Sequence, residues 1–445
     1  MSLPTSASIE EDGCSRNIAV LGNVDRSVPY NVKLLLCSQL LLSGVNAFPL
    51  GALFDAYLLD LAGGRNSFVG LLESVRGLVQ LSLAWPLGAL ADVFPKRRLL
   101  RFNCVLGAFF TIICARALAD DSHFFLVVTV VLFAMHLQMH NGTATAFVAD
   151  CTTEGSQRTR SIELMQAMFF LGAALAPAIQ AVLIPFYGAN HWARDKLKRI
   201  LVLGLLGEVG ICLPYLLLHE VQRSATIVEV RCSGAESLRE EIVDDWKEQP
   251  SRPFGWRKRT LVPTLLESSQ ILAMLGSGVS VKFLPLFFKA EYGFHPIEVC
   301  VLIAMLGLGT ALFGVFVTPR IVRVLGRART GLLLHVSACA ALWVFTLLHD
   351  WRIALPLYIL RYSVMNSVTQ LNTALVMDCV ESSARGRWGG ITSIKAGVWS
   401  GSALLGGFLA DATGSYRPAF QATAAAHTVA ALVLLPVQFL VPRGY

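Results

Sequence analysis

Charge is scarce in this chain. Only 15% of its 445 residues are Asp, Glu, Lys or Arg, whereas 54% are hydrophobic and the mean hydropathy is +0.58. Soluble domains carry about 25% charged residues, so a soluble enzyme and a disordered chain are both excluded. The motifs of common catalytic sites are also missing. The sequence has no phosphate-binding Gly-rich loop ending in Gly-Lys-Ser/Thr, no Gly-x-Ser-x-Gly and no His-Glu-x-x-His;. No hydrophilic segment is large enough to bind ATP, which argues against a primary pump and against an enzyme. Ten cysteines are present, but none forms Cys-x-x-Cys or a His/Cys pair with metal-ligand spacing;. They read as packing residues, and neither a metal nor a cofactor is expected. Residues 1–30 lack the apolar core of a secretory leader and read as a short cytoplasmic tail;.

Apolar runs take up most of the remaining chain. Twelve fall near 32–59, 67–91, 99–118, 124–148, 162–187, 198–218, 260–289, 297–319, 330–349, 353–377, 390–411 and 418–441. A helix needs about 20 residues to cross a bilayer. Backbone groups in hydrocarbon must be satisfied within their own segment, so helices are required. The net charge of +7 does not point to nucleic acid, because the basic residues sit in short clusters between the runs. With the N-terminus inside, the clusters Lys96–Arg98, Arg158 and Arg160, Arg320–Arg329, and Arg385 and Arg387 all fall in cytoplasmic loops;. Both termini are then cytoplasmic, and the plasma membrane and an internal membrane are equally open. One cluster disagrees: Arg194, Lys196, Lys198 and Arg199 fall on the predicted outside. The expected organisation is a tail at 1–30, six helices over 31–219, a linker at 220–259 and six helices over 260–445. The linker carries Leu238, Ile242, Val243 and Trp246 at helical spacing after a capping box begun by Ser237, which predicts a short amphipathic helix;.

The two groups of six look like copies. Run 4 ends Asp150-Cys151 and run 10 ends Asp378-Cys379, 228 positions later; Arg158 and Arg385 follow them, 227 apart;. Run 2 leads into Gly88-Ala-Leu-Ala-Asp92-Val-Phe-Pro-Lys96-Arg97-Arg98. This resembles the loop 2–3 signature of the major facilitator superfamily, with Val93 and Pro95 as departures. Gly406–Asp411 leading to Tyr416–Phe420 also resembles that superfamily, and the likeness runs from about residue 32 to the end. It implies an all-α membrane protein with twelve transmembrane helices in two six-helix pseudo-symmetric bundles. It also implies a conformational lock built from Gly88, Asp92, Lys96, Arg97, Asp150, Arg158, Asp378 and Arg385. On physical grounds Gly88 would let helix ends approach closely, and Asp92 can pair with an Arg or cap a helix.

Ionisable residues within spans are costly and are functional candidates by default. In run 2, Glu73 and Arg76 share a helix face, either as a self-neutralising pair or as part of a proton or substrate site with Asp55 of run 1;. In run 4, His136 and His140 share a face, either bonding between helices or lining a cavity. Glu208 lies mid-run 6, with Gly204 one turn earlier leaving room for a neighbour. The proton-coupling candidates are thus Asp55, Glu73, Arg76, Glu208 and Glu267. The resemblance makes runs 1, 4, 7 and 10 cavity-lining, so substrate candidates are Asn46, His136, His140, Lys282, Arg361, Asn366 and Gln370. Glu267 lies about 15 residues from Lys282, over 20 Å along a helix, too far for a direct pair. At least one of Lys282 and Arg361 therefore reads as lacking a carboxylate in its own half; the alternative is that Arg361 pairs across the interface with Asp55 or Glu73, or donates to backbone carbonyls. The expected function is alternating-access transport of a small solute, facilitative or proton-coupled, with a lean toward an organic anion or zwitterion. A neutral solute such as a sugar, or a non-transporting receptor or chaperone on the same scaffold, is the alternative. The expected partners are the lipid bilayer, the solute and protons, with a monomeric chain.

Overall fold

The computed structural model describes residues 29–152, 156–189, 191–219, 258–380 and 394–442. The side chains at 92, 149, 156–160, 163, 259, 377 and 378 are also outside what is described. The linker helix expected within 220–259 falls almost wholly outside these residues.

The described chain is helical, and its helices group into twelve spans in two bundles. The first bundle holds α1 (Tyr30–Ala47), α2 (Ala52–Leu61), α3 (Asn66–Val93), α4 (Lys96–Asp120), α5 (His123–Cys151), α6 (Ser156–Phe186), α7 (Arg194–Leu205) and α8 (Gly207–Leu217). The second holds α9 (Lys258–Val281), α10 (Leu284–Tyr292), α11 (Pro296–Leu312), α12 (Thr318–Leu325), α13 (Arg327–Leu347) and α14 (Trp351–Cys379), then α15 (394–401), α16 (Ala403–Thr413), α17 (Arg417–Leu434) and α18 (Val437–Leu440). A π-helical turn, Phe313–Val317, joins α11 to α12. Six spans are pairs of helices: α1–α2, α7–α8, α9–α10, α11–α12, α15–α16 and α17–α18.

Eight described spans are long and apolar enough to cross a membrane, and the bent α9–α10 pair makes a ninth. Of the other three, α3 and α14 carry charged and amide side chains, and the eleventh is described only from residue 394. Large apolar side chains such as Leu78, Phe109, Phe186, Val209 and Phe439 are exposed, as lipid-facing residues should be;.

The first span of each bundle is interrupted. In the first bundle the break spans Phe48–Gly51 and contains Pro49, which donates no N–H to a helix ladder;. In the second it falls at Lys282–Phe283, just before Pro285, and the axis bends by 42°. The same helix neighbours recur in both bundles: α4 packs on α5 and α8, as α13 packs on α14 and α17. The bundles meet along two seams, α3 on α16 and α6 on α11. Small residues permit this close approach. A Cβ at Gly70 would stand 2.6 Å from the Ala403 carbonyl oxygen, and one at Gly307 would stand 2.8 Å from the Ala174 Cβ;. Gly397 likewise faces Leu81 and Gly77 of the opposite bundle.

The face carrying Tyr30 and Val441 is called terminal below, and the opposite face distal. The basic cluster that broke the sequence pattern lies on the distal face, where two of its four members are paired with carboxylates. Arg194 Nε is 2.6 Å from Asp60, and Lys198 Nζ is 2.6 Å from Asp121. Burial alone would raise the Asp121 carboxyl, but hydrogen bonds from Lys198 and Tyr57 and the charges of Lys198 and Arg194 hold it below the ordinary range;.

Candidate functional site

The broken helices place charge at the centre of the molecule. Asp55 lies in the first turn of α2, where the helix dipole favours an anion, and Lys282 follows the last residue of α9, where it favours a cation;. The two meet across the bundle interface: Lys282 Nζ is 2.8 Å from Asp55 Oδ1 and 3.2 Å from Glu73 Oε2. Glu73 also pairs with Arg76 at 2.5 Å and accepts a hydrogen bond from the Ser400 hydroxyl at 2.9 Å. Arg76 extends toward Asn46 Oδ1, 3.5 Å away, with its guanidinium 5.9 Å from the Trp399 ring centre. A small cavity lies beside this group, lined by Glu73, Arg76 and Lys282 and by apolar residues including Leu50, Phe54 and Phe133. The two acids and two bases sum to zero charge.

Lys282 has no carboxylate partner in its own half, yet it is not an unpaired cation. A search along its own helix finds no carboxylate for it, because both partners come from the opposite bundle. Glu73 and Arg76 do pair along one helix, but Lys282 shares the carboxylate. Glu267 is a separate site: with Gln270 it holds Lys395 of α15 at 3.0 Å, within the second bundle.

His136 and His140, read either as bonding between helices or as lining a cavity, are fully buried and bond to neighbouring helices of the first bundle. His136 Nδ1 donates to the Asn103 carbonyl at 3.2 Å, and its Nε2 lies 3.0 Å from Glu208. His140 Nε2 donates to Gln39 at 2.6 Å, and Nδ1 bonds the Tyr215 hydroxyl. Room for Glu208 comes from Gly107 on α4, where a Cβ would collide with the carboxylate. Gly204, the glycine expected to provide it, faces Phe48 instead. Asn366 spends its amide N–H on the Tyr362 carbonyl at 2.9 Å, and Gln370 is exposed on α14. Arg361 is buried in the second bundle over the Tyr358 ring, and Nε and Nη2 have no hydrogen-bond partner among the described residues.

Nearer the distal face a second set of polar contacts joins the bundles. Asp411 Oδ1 accepts from the Asn66 backbone N–H at 2.7 Å, and Oδ2 from that of Ser67 at 2.8 Å. The Tyr416 hydroxyl donates to Asn66 Oδ1 at 2.6 Å, and Trp192 Nε1 donates to the Phe294 carbonyl at 3.0 Å. The Ser74 hydroxyl donates to the Gly401 carbonyl at 2.9 Å. This N-terminal helix turn, held by a carboxylate from the other bundle, is absent from the sequence expectations. Its one signal in the chain is an acid at the end of an apolar run.

Beyond Ser74 toward the terminal face, no described side chain of α3 makes a hydrogen bond or ion pair to the other bundle. There, Leu81, Trp85, Gly88 and Ala89 of α3 are exposed. A Cβ at Gly88 would meet nothing within 4 Å, so the close helix approach expected at this glycine is absent in this conformation. Of the lock candidates, Lys96 Nζ pairs with Asp150 at 2.6 Å within the first bundle, and the buried Arg97 Nε has no partner among the described residues. The Asp92, Arg158 and Asp378 side chains and all of Arg385 lie outside the described residues.

Several membrane transporters of known structure share this fold. A bacterial homologue of the iron transporter ferroportin, in an inward-facing state, superposes with a TM-score of 0.67 at 15% identity, covering 93% of this chain and 99% of its own. A D-xylose–proton symporter gives 0.66 at 13% identity, covering 94% and 99%. The nucleoside transporter NupG gives 0.64 at 12%, covering 92% and 100%. No curated protein matches by sequence. The sequence profile of the Major Facilitator Superfamily matches residues 35–400. With twelve helical spans in two like bundles and a charged group at their interface, the chain belongs to the Major Facilitator Superfamily.

Proposed function

We propose that this chain is a proton-coupled carrier of a small solute working by alternating access, with the Asp55–Lys282–Glu73 group as its coupling site. The observation that carries this reading is that Lys282 from one bundle is held by two carboxylates from the other. Protonating either carboxylate weakens the tie between the bundles, which is what coupling requires: a proton-dependent change in the relative stability of two arrangements. The present arrangement is joined distally and parted on the terminal face. With the termini in the cytoplasm, as the Lys/Arg bias favours, this is an inward-facing state.

Substrate charge follows from the same balance. Asp55, Glu73, Arg76 and Lys282 neutralise one another, so a solute beside them need not carry net charge. This moves the reading away from a simple anion and toward a zwitterion, whose ammonium and carboxylate can exchange partners within the group. A neutral polar solute such as a sugar, held through Asn46, is the runner-up.

Spin labels replacing the exposed distal residues Asp120 and Arg352 would report the separation of the bundles. The separation is expected to lengthen in part of the population between pH 8 and pH 5. In Asp55→Asn/Glu73→Gln it should be long at both pH values. An unchanged distribution in the unmodified chain would remove this group as the coupling site. Uptake into proteoliposomes of labelled amino acids, sugars and organic acids, with and without an inward-directed proton gradient, then separates the substrate classes.

A further inference from the structure

Each bundle buries a polar triad. In the first, Asn103 of α4, His136 of α5 and Glu208 of α8 meet. In the second, the equivalent helices α13 and α17 bring His335 and His427 together, with ring centres 5.8 Å apart, and α14 supplies the buried Arg361, close enough for its charge to bear on both. The registers also correspond. His136 lies 13 positions after His123, which opens α5, and Arg361 lies 10 after Trp351, which opens α14. Glu208 lies 14 after Arg194, which opens its span, and His427 lies 10 after Arg417. The second triad is thus the counterpart of the first, displaced by about one helical turn toward the distal face.

The two triads differ in charge. The first contains its own carboxylate. The second contains a guanidinium that is 3% exposed and has neither an ion pair nor a hydrogen bond to any described carboxylate. Its surroundings offer little relief. His335 Nε2 donates to the His427 carbonyl at 3.1 Å, and His427 Nε2 is 2.9 Å from the Ser277 hydroxyl. Nδ1 of each histidine is buried without a partner among the described residues. A buried cation is costly without a counter-charge, and an Arg cannot escape by losing its proton.

We infer that the second triad binds a small monovalent anion of chloride size, seated against Arg361 Nε and Nη2 in the role that Glu208 plays in the first bundle. Packing limits the ligand's size. A Cβ at Gly276 would come within 2.6 Å of the Ala426 Cβ and 3.4 Å of the His427 ring, so α9 and α17 are closely packed beside His427, which favours a small ion over a larger solute. The His427 ring can offer its Nδ1–H to an anion, because its Nε2 can then accept from the Ser277 hydroxyl;. This site is separate from the Asp55–Lys282–Glu73 group and stands whether or not that group couples protons.

The test uses purified full-length protein titrated with sodium chloride at constant ionic strength, with gluconate as the replacing anion. The ³⁵Cl resonance should show saturable excess broadening, and the unfolding temperature should rise with the logarithm of chloride concentration. Arg361→Gln should abolish both responses. Arg361→Lys, which keeps the charge and is the safer variant for folding, should weaken the apparent affinity by about tenfold or more because the guanidinium fork is lost. Absence of saturable broadening in the unmodified protein overturns the inference, as does equal broadening in both variants. Stabilisation by acetate with none from chloride overturns it too, in favour of a carboxylate-bearing solute at Arg361.

Discussion

The distal and terminal ends of the bundle interface are built from the same helices but joined very differently. At the distal end and midplane, α3 meets α16 through Asp411, Asn66, Tyr416, Ser74 and Ser400, backed by glycines that let the backbones touch. Toward the terminal face, the same α3 turns exposed side chains outward and has no polar tie across the interface among the described residues. What separates the ends is where hydrogen-bonding capacity is spent, since glycines occur at both. Bonds between transmembrane helices are worth about 0.6–2 kcal/mol each. A handful of them is therefore enough to hold one end shut and small enough to be reversed by a solute or a proton.

The largest effect should come from removing the charge that ties the bundles together. Lys282→Met leaves Asp55 buried without its cation, whereas Glu73 keeps Arg76. Breaking a buried ion pair by removing one partner costs about 3–5 kcal/mol. A marked fall in unfolding temperature is expected, together with separation of the distal labels. Adding Asp55→Asn should recover at least half of that fall, because the orphaned charge is then gone. Strictly additive losses in the double variant would mean that the two side chains do not act as a pair.

Asp411→Asn comes next. Its carboxylate accepts from two backbone N–H groups at the start of α3, and hydrogen bonds to charged groups contribute about 1.5–3 kcal/mol;. The neutral amide keeps one acceptor and turns a donor toward the other N–H. The distal distance distribution should broaden while Lys282 stays paired. A distribution identical to that of the parent would make the clamp an incidental contact.

Much of this architecture was legible in the sequence. The apolar run length, the Asp150/Asp378 repeat and the loop after run 2 pointed to twelve helices in two copies, because a bilayer leaves few alternatives to the helix. The site was legible residue by residue but not as pairs. Asp55, Glu73, Arg76 and Lys282 were each marked by the cost of charge in a span, yet a one-dimensional search can match charges only along one helix. The Lys282 partners lie more than 200 positions away in the chain. His136 and Glu208 were separated for the same reason, and neither period nor composition told which face of α5 looked inward. Arg194 and Lys198 contradicted the orientation count because that count ignores acids, and Asp60 and Asp121 neutralise them.

Two glycines sharpen the comparison between the ends. Gly70 is pressed on the Ala403 backbone, so Gly70→Val should cost about 1–3 kcal/mol of overpacking in this conformation and shift the population toward distal separation;. Gly88 faces open space, so Gly88→Val should leave the distally joined form intact. The same label pair reads both. Equal shifts in the two variants would remove the distinction between a packed and a parted end.

The smallest effect separates the stability of the distal face from its gating. Asp121 is tied to Lys198 and Tyr57 within the first bundle, and Arg194 also reaches Asp60, so these contacts brace one bundle without crossing to the other. Its carboxyl is held below the ordinary value despite the opposing effect of burial. A group shifted in that direction stabilises the fold above its unfolded pKa of about 3.9, and the contribution is lost as pH falls through the folded value. The unmodified chain should therefore unfold at a higher temperature than Asp121→Asn at pH 7. The gap should narrow as pH falls below about 4, where the unfolded-state carboxyl takes up its proton. The charges are partly exposed, and such pairs are worth at most about 1 kcal/mol, so a shift of only a few degrees is expected. The distal label distance should not change between the two proteins at pH 7. A gap that persists unchanged to the lowest pH would show that Asp121 contributes through packing or its hydrogen bond from Tyr57 alone, and not through its charge.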